Sequence, residues 1–273
     1  MINYILKRLF YSVVTIWVVI TLTFFLMHKI PGGPFDSEKK LPAQVQANLE
    51  AKFGLNKPLG EQYTTYLKNV VLHGDFGPSM RYEGKSVNDV ISYSFPATAK
   101  LGLCSVGFAL ILGLYMGITA ALHQGKWQDN LCMVVATLGV TVPSFVMATF
   151  FIYFFAVKLG WLPAVGFDGP ENLVLPAVAL GGYATAFIAR LSRSSLLEVI
   201  RQDYIKVAKA KGLAKAKIIY KHALKNSLIP IITYLGPLLA GVLTGSFVIE
   251  TLFGIPGLGR EFVRSEEHTS ELQ

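Results

Sequence analysis

The chain has 273 residues, of which 52% are hydrophobic and 15% are charged, and its mean hydropathy is +0.48. These values are typical of a multi-pass membrane protein and exclude an ordinary soluble domain. The formal net charge is +8, and the segment 190–225 alone has ten Lys and Arg residues against two acids, so the rest of the chain is neutral overall.

Five uncharged runs are each long enough to cross a hydrocarbon core of about 30 Å, for which about 20 helical residues are needed. They lie at 9–27, 101–122, 131–157, 173–189 and 227–249. None of them alternates apolar and polar residues as the strands of a membrane barrel do, so all five are predicted to be helices. The predicted fold class is therefore an all-α polytopic membrane protein.

The first run is predicted to be an uncleaved membrane anchor. Lys7 and Arg8 precede it like the basic end of a signal peptide, but the run is too long for one and no small-residue cleavage site follows. Basic residues in short segments stay on the cytoplasmic side, which places the N-terminus inside. Alternating spans then put 31–93 outside and 190–226 inside.

These predictions divide the chain into an N-terminal end with the first span (1–30), an external segment (31–93) and a membrane core (94–260) that includes the cytoplasmic loop 190–226. The external segment has too few large apolar residues for a core of its own and is predicted to form a small helical cap. Such a cap serves either as a docking surface for another protein or only as a structural lid.

A proline interrupts the middle of the third run. Pro143 lacks the N–H group that an α-helix needs, and Ser144 and Phe145 follow it. A kink or an unwound turn is therefore predicted at 143–145. Two interpretations remain open: this segment lines a translocation path, or the kink is merely tolerated.

Two glycine pairs predict close helix contacts. Gly113 and Gly117, and likewise Gly241 and Gly245, have the small-residue spacing that lets membrane helices approach each other. The contacts are expected within the chain rather than at a dimer seam.

The basic segment is predicted to contain two short helices that meet at Gly212, a residue suited to the left-handed conformation that ends a helix. Lys217, Lys221 and Lys225 form a basic face after this glycine. Before it, one apolar stripe at three- and four-residue spacing is predicted from Leu196, Leu197, Ile200, Tyr204, Val207 and Ala208. A loop that only fixes the topology and binds lipid headgroups does not need an apolar stripe. The stripe therefore favours a platform that binds another protein.

The sequence carries no pattern of catalysis or of a bound cofactor. It has no metal-type spacing of His and Cys, no nucleophile paired with a base, and no Gly-x4-Gly-Lys-Ser/Thr loop for ATP. The predicted spans have no ionisable residues in their interiors, which argues against a proton- or sodium-coupled carrier. Catalytic, cofactor and metal sites are not expected, and neither is a nucleic-acid partner.

The segment 203–213, DYIKVAKAKGL, followed by HALKN and Pro230, resembles the cytoplasmic coupling loop of binding-protein-dependent ABC importer permeases in its peptide-transporter form. The older consensus has Glu-Ala-Ala where this chain has Lys206-Val207-Ala208. The likeness covers about residues 1–263 and includes YILKRL at 4–9, PGGPF at 31–35, HGDFGPS at 73–79, PSF at 143–145, WLP at 161–163 and ETLFGIPGLG at 250–259. Together these motifs identify a member of the B-type branch from bacterial oligopeptide importers.

The resemblance implies a type I importer fold in the bacterial inner membrane, with the N-terminus in the cytoplasm. It implies a second, different permease subunit, two cytoplasmic ATPase subunits, an extracytoplasmic peptide-binding protein, a peptide cargo and membrane lipid as partners. ATP is then hydrolysed in the partner subunits, and this chain is a transport subunit rather than an enzyme. The ATPase contact that the resemblance implies comprises Asp203, Tyr204, Lys206, Val207, Ala208, Lys209, Ala210, Lys211, Gly212 and Leu213.

Two alternatives remain open at this point. A permease of the same family for dipeptides, nickel or another small solute would carry the same motifs, although GPF at 33–35 and the external segment favour oligopeptides. A channel or a membrane scaffold belongs to a different class of function, and it would need no coupling helix.

The end of the chain departs from the family. Five spans from a cytoplasmic N-terminus leave the chain outside after Gly259, where the family continues into a sixth span. The polar tail 265–273 resembles the translation of a sequencing adapter and is interpreted as non-native. A further apolar run of about 20 residues is expected in its place in the genomic sequence.

Overall fold

The computed structural model describes residues 2–29, 54–79, 82 and 84–261. The regular structure of this part of the chain is helical, and the predicted all-α fold class is confirmed. The helices are α1 Ile2–Lys29, α2 Leu59–Lys68, α3 Val87–Leu122, α4 Trp127–Thr141, α5 Ser144–Lys158, α6 Glu171–Ile200, α7 Asp203–Ala210, α8 Lys215–Ser227, α9 Ile229–Leu243 and α10 Phe247–Leu252, and a short π-helix, Asn69–His73, follows α2 directly.

The described residues fall into two compact units, divided between Val90 and Ile91. Residues 31–53 of the predicted cap, with the PGGPF motif, and the tail 265–273 lie outside the described residues. The prediction of an external cap therefore remains a prediction.

In the first unit, the apolar helix α1 packs one aromatic side against α2. The ring of Phe24 lies 5.4 Å from that of Tyr63 and 5.9 Å from that of Tyr66, measured between centroids. The hydroxyls of Thr21 and Tyr63 share a hydrogen bond of 2.8 Å. Apolar rings with polar tips suit a helix that leaves a membrane, because one end of each ring meets water.

The second unit is built around α6. This helix packs against α4, α5, α8, α9 and α10, and its buried side consists largely of alanine, glycine and serine. Between helices in lipid there is little water to exclude, so association depends on close packing, which small side chains permit. The composition of α6 therefore makes it the central helix of this unit.

The predicted contact at Gly113 and Gly117 is confirmed as a contact within the chain. A Cβ atom on Gly117 would lie 2.5 Å from the carbonyl oxygen of Ala189 and 2.6 Å from the Cβ of Ser192. A Cβ on Gly113 would lie 2.8 Å from the carbonyl oxygen of Thr185. Both glycines therefore let α3 approach the backbone of α6.

The prediction that Gly241 and Gly245 form a second helix contact is wrong, although Gly245 does lie close to another part of the chain, because a Cβ there would lie 2.7 Å from the backbone nitrogen of Gly259. Helix α9 ends at Leu243, so Gly245 lies beyond it, in a left-handed conformation with a φ of +95°. A Cβ on Gly241 would meet nothing within 4 Å. The spacing alone could not distinguish the pairs, because it contains no information on where the helix ends.

Gly117→Ala is expected to lower the thermal stability of the purified protein, because the added methyl group overlaps the backbone of α6. Overpacking of this kind costs about 1–3 kcal/mol. Gly107→Ala on the same helix is the matched control, since a Cβ there meets nothing within 4 Å and alanine is the better helix former. Equal melting temperatures of the two variants in detergent would contradict this contact.

Three helices, α1, α3 and α6, are each long and apolar enough to cross a membrane. The pairs α4–α5 and α8–α9 pass the same test together but are bent by 104° and 45°, so the described residues provide five spans only if each pair is one span. The kink predicted at 143–145 within the run 131–157 is therefore confirmed. The run 227–249 is divided in the same way among α8, α9 and α10.

Prolines account for where the two bends occur. Val142 and Pro143 leave the helical region with ψ angles of 122° and 143°, as a proline favours in itself and in the residue before it. Pro230 lies in the first turn of α9, where its missing N–H needs no partner, and the bend there is smaller.

A buried carboxylate organises the ETLFGIPGLG motif. Glu250 is fully buried and accepts hydrogen bonds from the Thr98 hydroxyl at 3.0 Å, from the Ser246 N–H at 3.3 Å and from the Arg260 N–H at 3.0 Å. The Thr98 hydroxyl accepts in turn from the Leu258 N–H at 2.8 Å. Glu250 thereby links Thr98 of α3 to the backbone before α10, at Ser246, and after it, at Arg260. This gives the motif a structural role.

Candidate functional site

The basic segment begins later than the sequence predicts. Helix α6 does not end near residue 189 but continues to Ile200, so Arg190 and Arg193 belong to the long helix rather than to a loop. Arg201 and Gln202 then form a turn, and α7 begins at Asp203 with the carbonyl of Gln202 accepting the N–H groups of residues 205 and 206. The segment that leaves the bundle is therefore 201–227.

The inner face of α7 consists of Ile205 and Ala208. Both are buried, and they pack into an apolar cluster with the ends of α3 and α6. The other buried members of this cluster are Ala121, Leu196, Ile218 and Ala223. The Ser195 hydroxyl also donates a hydrogen bond of 3.0 Å to the carbonyl of Ser227, which joins α6 to the end of α8.

The prediction of a single apolar stripe from Leu196 to Ala208 is therefore wrong. The turn at 201–202 interrupts the helix, so the helical spacing does not continue across it, and Leu196 and Ala208 are buried while Tyr204 and Val207 are exposed. Ile205 was missed because the stripe was traced without this break. The acidic residue Asp203, a common start of a helix, was the available signal.

The outer face of α7 carries the other predicted contact residues. Tyr204 is 41% exposed and Val207 is 52% exposed, so both side chains present a large part of their surface to the outside of the protein. Lysines surround them, and the ion pair of 2.8 Å between Lys206 and Asp203 is highly exposed and contributes little to stability. The predicted residues Lys206, Lys209, Ala210 and Lys211 are also exposed, whereas Leu213 is half-buried.

Gly212 closes α7 in the predicted manner. Its φ of +74° is left-handed, the Gly212 N–H donates to the Lys209 carbonyl at 3.0 Å, and the Leu213 N–H donates to the Ala208 carbonyl at 3.3 Å. These two bonds form a Schellman motif, in which glycine adopts a conformation that is strained for other residues. Leu213 packs into the same cluster as Ala208, so the turn sets the direction of the chain toward α8.

Helix α8 lies against α7 and is linked to it through Tyr204. The Asn226 side-chain amide donates to the Tyr204 hydroxyl at 2.8 Å, and that hydroxyl donates to the carbonyl of His222 at 3.5 Å. The side chains of the predicted basic face, Lys217, Lys221 and Lys225, are all exposed. Helices α7 and α8 thus form one platform, with apolar contacts beneath it and lysines on its surface.

An ion pair that the sequence analysis missed joins α4 to α6 near this platform. Arg193 donates two hydrogen bonds to Asp129, Nε to Oδ1 at 2.6 Å and Nη2 to Oδ2 at 2.7 Å. The Asp129 side chain is only 4% exposed and also accepts the Gly125 N–H at 2.9 Å. The residues lie far apart in sequence and on different helices, so no local pattern connects them.

The second predicted element, 143–145, lies at the bend between α4 and α5. Pro143, Ser144 and Phe145 are all exposed, although Ala136 and Ala148 on either side of them are buried. Because the chain leaves the helical conformation at the bend, the last carbonyl groups of α4 lose the N–H groups of a following turn that would otherwise donate to them. In a membrane, such backbone is tolerated where other protein covers it or where it lines a water-filled cavity.

Two family models match this sequence over most of its length. Residues 109–269 match the binding-protein-dependent transport system inner membrane component, and residues 1–102 match the N-terminal part of such membrane components. Among solved structures, the MetNI methionine ABC transporter in an inward-facing conformation has a TM-score of 0.54 at 20% identity. That match covers 66% of this chain and 81% of the other, and it supports the fold of an ABC importer membrane subunit.

Curated relatives agree with the family models. The oligopeptide transport system permease protein OppB of Haemophilus influenzae is 48% identical over 96% of this chain and 86% of its own length. The dipeptide transport system permease protein DppB of Bacillus subtilis is 48% identical over 97% of this chain and 86% of its own length. The glutathione transport system permease protein GsiC of Shigella flexneri is 38% identical over 98% of this chain and 87% of its own length. The chain therefore belongs to the family of binding-protein-dependent transport system inner membrane components, as a multi-pass permease subunit of the inner membrane.

Proposed function

We propose that this chain forms half of the membrane path of an ATP-driven peptide importer, and that its α7–α8 platform couples the path to a cytoplasmic ATPase subunit. The observation that carries the proposal is the two-sided helix α7, with Ile205 and Ala208 buried beneath it and Tyr204 and Val207 exposed above it. Two solvent-facing apolar side chains on a short helix rimmed by lysines suit insertion into a groove on another protein.

The coupling works through the anchoring of α7 to the bundle. Ile205 and Ala208 share one apolar cluster with Ala121 of α3 and Leu196 of α6, so a displacement of α7 is passed to the ends of both helices. Ala208 and Gly212 act by keeping the platform in shape, whereas Val207 and Tyr204 make the contact with the ATPase. The sequence has no phosphate-binding loop of its own, which is why a separate ATPase is required.

The remaining partners follow from the family. A second permease subunit completes the path, a second ATPase serves it, and an extracytoplasmic binding protein delivers peptide to the external segment 31–93. The exposed lysines of α8 also lie where anionic lipid headgroups can contact them. Pro143, Ser144 and Phe145 line the path in this proposal, because they are exposed next to the non-helical backbone at 142–143, which needs water or protein around it.

Peptides are the proposed cargo because the relatives include permeases named for oligopeptides, dipeptides and glutathione. The oligopeptide and dipeptide relatives are equally similar at 48% identity, so dipeptides are the second candidate cargo. Uptake of labelled peptides of increasing length into proteoliposomes that contain the complete importer tests this choice. Uptake of each peptide should require ATP, and ATP-independent flux would instead indicate a channel.

The proposed topology places α7 in the cytoplasm and residues 54–79 outside. In a background in which Cys104 and Cys132 are replaced by alanine, Lys206→Cys should not react with a membrane-impermeant thiol reagent added to intact spheroplasts. Lys57→Cys should react under the same conditions, and its side chain is similarly exposed. Inverted vesicles should give the opposite pattern, and labelling of position 206 in intact spheroplasts would refute this orientation.

A further inference from the structure

The second half of helix α6 has an open stripe. Its exposed side chains are Tyr183, Phe187, Arg190, Ser194 and Glu198, at spacings of four, three, four and four residues. These spacings place the five side chains on one face of the helix. The exposed face of α6 thus carries charged and polar side chains. A helix face that contacts lipid is apolar instead.

Arg190 is the basic member of this stripe and directly follows the uncharged run 173–189. Ten residues separate it from the end of the helix at Ile200, which is about 15 Å along the axis. Its guanidinium donates a hydrogen bond of 3.0 Å to the Thr137 hydroxyl, and no ion pair to it is present among the described residues. Arg193, one turn further on, differs in being paired with Asp129. At this end of a span, a cation lies against water at the mouth of a path or against the interior of an assembly.

The surroundings of Arg190 combine hydroxyl groups with aromatic faces. Phe187 lies against Tyr234 of α9 with ring centroids 4.3 Å apart. On the other side, Gly139 of α4 lies against Gly182, next to Tyr183, because a Cβ on Gly139 would lie 3.1 Å from the Gly182 carbonyl oxygen. The stripe therefore lies between α4 and α9.

We propose that Arg190 binds the C-terminal α-carboxylate of peptide cargo during its passage, with the rings of Phe187 and Tyr183 beside the last side chain. The proposal rests on the proposed function, because it assumes peptide cargo. A free α-carboxylate is common to unmodified peptides whatever their sequence, so one cation can serve many cargoes. A guanidinium matches a carboxylate with two parallel hydrogen bonds and reduces the energetic penalty of removing that charge from water.

The test compares two peptides of identical sequence, one with a free C-terminus and one with a C-terminal amide, in the complete reconstituted importer. Arg190→Gln should lower the ratio of free-acid to amide uptake by about tenfold or more, the effect of one charge-assisted hydrogen bond. Arg190→Lys should retain part of the preference. Lys126→Gln removes an exposed positive charge outside the stripe and should leave the ratio unchanged.

A second measurement does not depend on the binding protein. Phe187→Cys, in a background without the native cysteines, should react with a charged methanethiosulfonate reagent, whereas Ile111→Cys, 77% exposed on α3, should not. Excess free-acid peptide should slow the reaction at position 187, and amidated peptide should not. Adding Arg190→Gln should abolish the protection.

The outcomes separate the two proposals. A wild-type importer that transports neither peptide overturns the proposed function itself. If peptides are transported but Arg190→Gln lowers both equally, or lowers the amount of assembled complex, Arg190 instead pairs with an acidic side chain of the second permease and the carboxylate site is refuted. An unreactive cysteine at position 187, or protection that survives Arg190→Gln, refutes it as well.

Discussion

Val207→Glu is expected to lower ATP-dependent peptide uptake by about tenfold or more while the chain still inserts and folds. Val207 is 52% exposed on the outer face of α7, so a glutamate there does not disturb the packing of this chain. In the proposed complex it introduces a charge into an apolar groove, and burial of an unpaired charge at an interface costs at least about 2 kcal/mol. ATP hydrolysis should then no longer respond to peptide and binding protein.

Three further variants define the surfaces of the platform. Val207→Thr is the matched control of similar size and should retain most of the uptake. Ala208→Glu, one residue further on, should instead disrupt the platform within the chain, because Ala208 is buried against α6 and α8. Gly212→Pro should do the same, since proline cannot adopt a φ of +74°.

Limited proteolysis distinguishes the two mechanisms. Ala208→Glu and Gly212→Pro should expose the segment 201–227 to protease, whereas Val207→Glu should be as resistant as the wild type. Normal uptake by Val207→Glu at normal protein level would show that the outer face of α7 does not contact the ATPase.

Arg193→Gln is expected to destabilise the second unit strongly. The substitution removes the guanidinium that donates two hydrogen bonds to the Asp129 carboxylate. This carboxylate is only 4% exposed and keeps the hydrogen bond from the Gly125 N–H. Removal of one partner of a buried ion pair typically costs about 3–5 kcal/mol, because the remaining charge is left without compensation. Helices α4 and α6 should consequently separate at lower temperature or lower denaturant concentration.

A double-mutant cycle tests whether the pair itself is responsible. Asp129→Asn combined with Arg193→Gln removes both charges and should recover part of the stability that Arg193→Gln loses. Arg201→Gln, an exposed arginine just beyond the end of α6, is the matched control and should change the melting temperature very little. Losses that simply add in the double variant would mean that Asp129 and Arg193 do not interact.

Much of the site could be read from local sequence. The left-handed turn at Gly212, the exposed lysines of α8 and the approach of α3 to α6 at Gly117 depend on neighbouring residues or on a fixed helical spacing. The break at Pro143 also has a local cause, although its size does not: a bend of 104° depends on how α4 and α5 each pack against α6.

The sequence by itself determined the all-α membrane class, the family and the location of the basic platform, because hydropathy, charge and motifs are properties of consecutive residues. Only the tertiary structure decided which side of α7 is buried, since the turn at 201–202 reorients the helix and selects Ile205 rather than Val207 for the core. It also decided that Arg193 is paired with Asp129 and that Arg190 stands on an open face. These properties arise between helices that are distant in sequence, and the helical spacing on each one does not encode its neighbours.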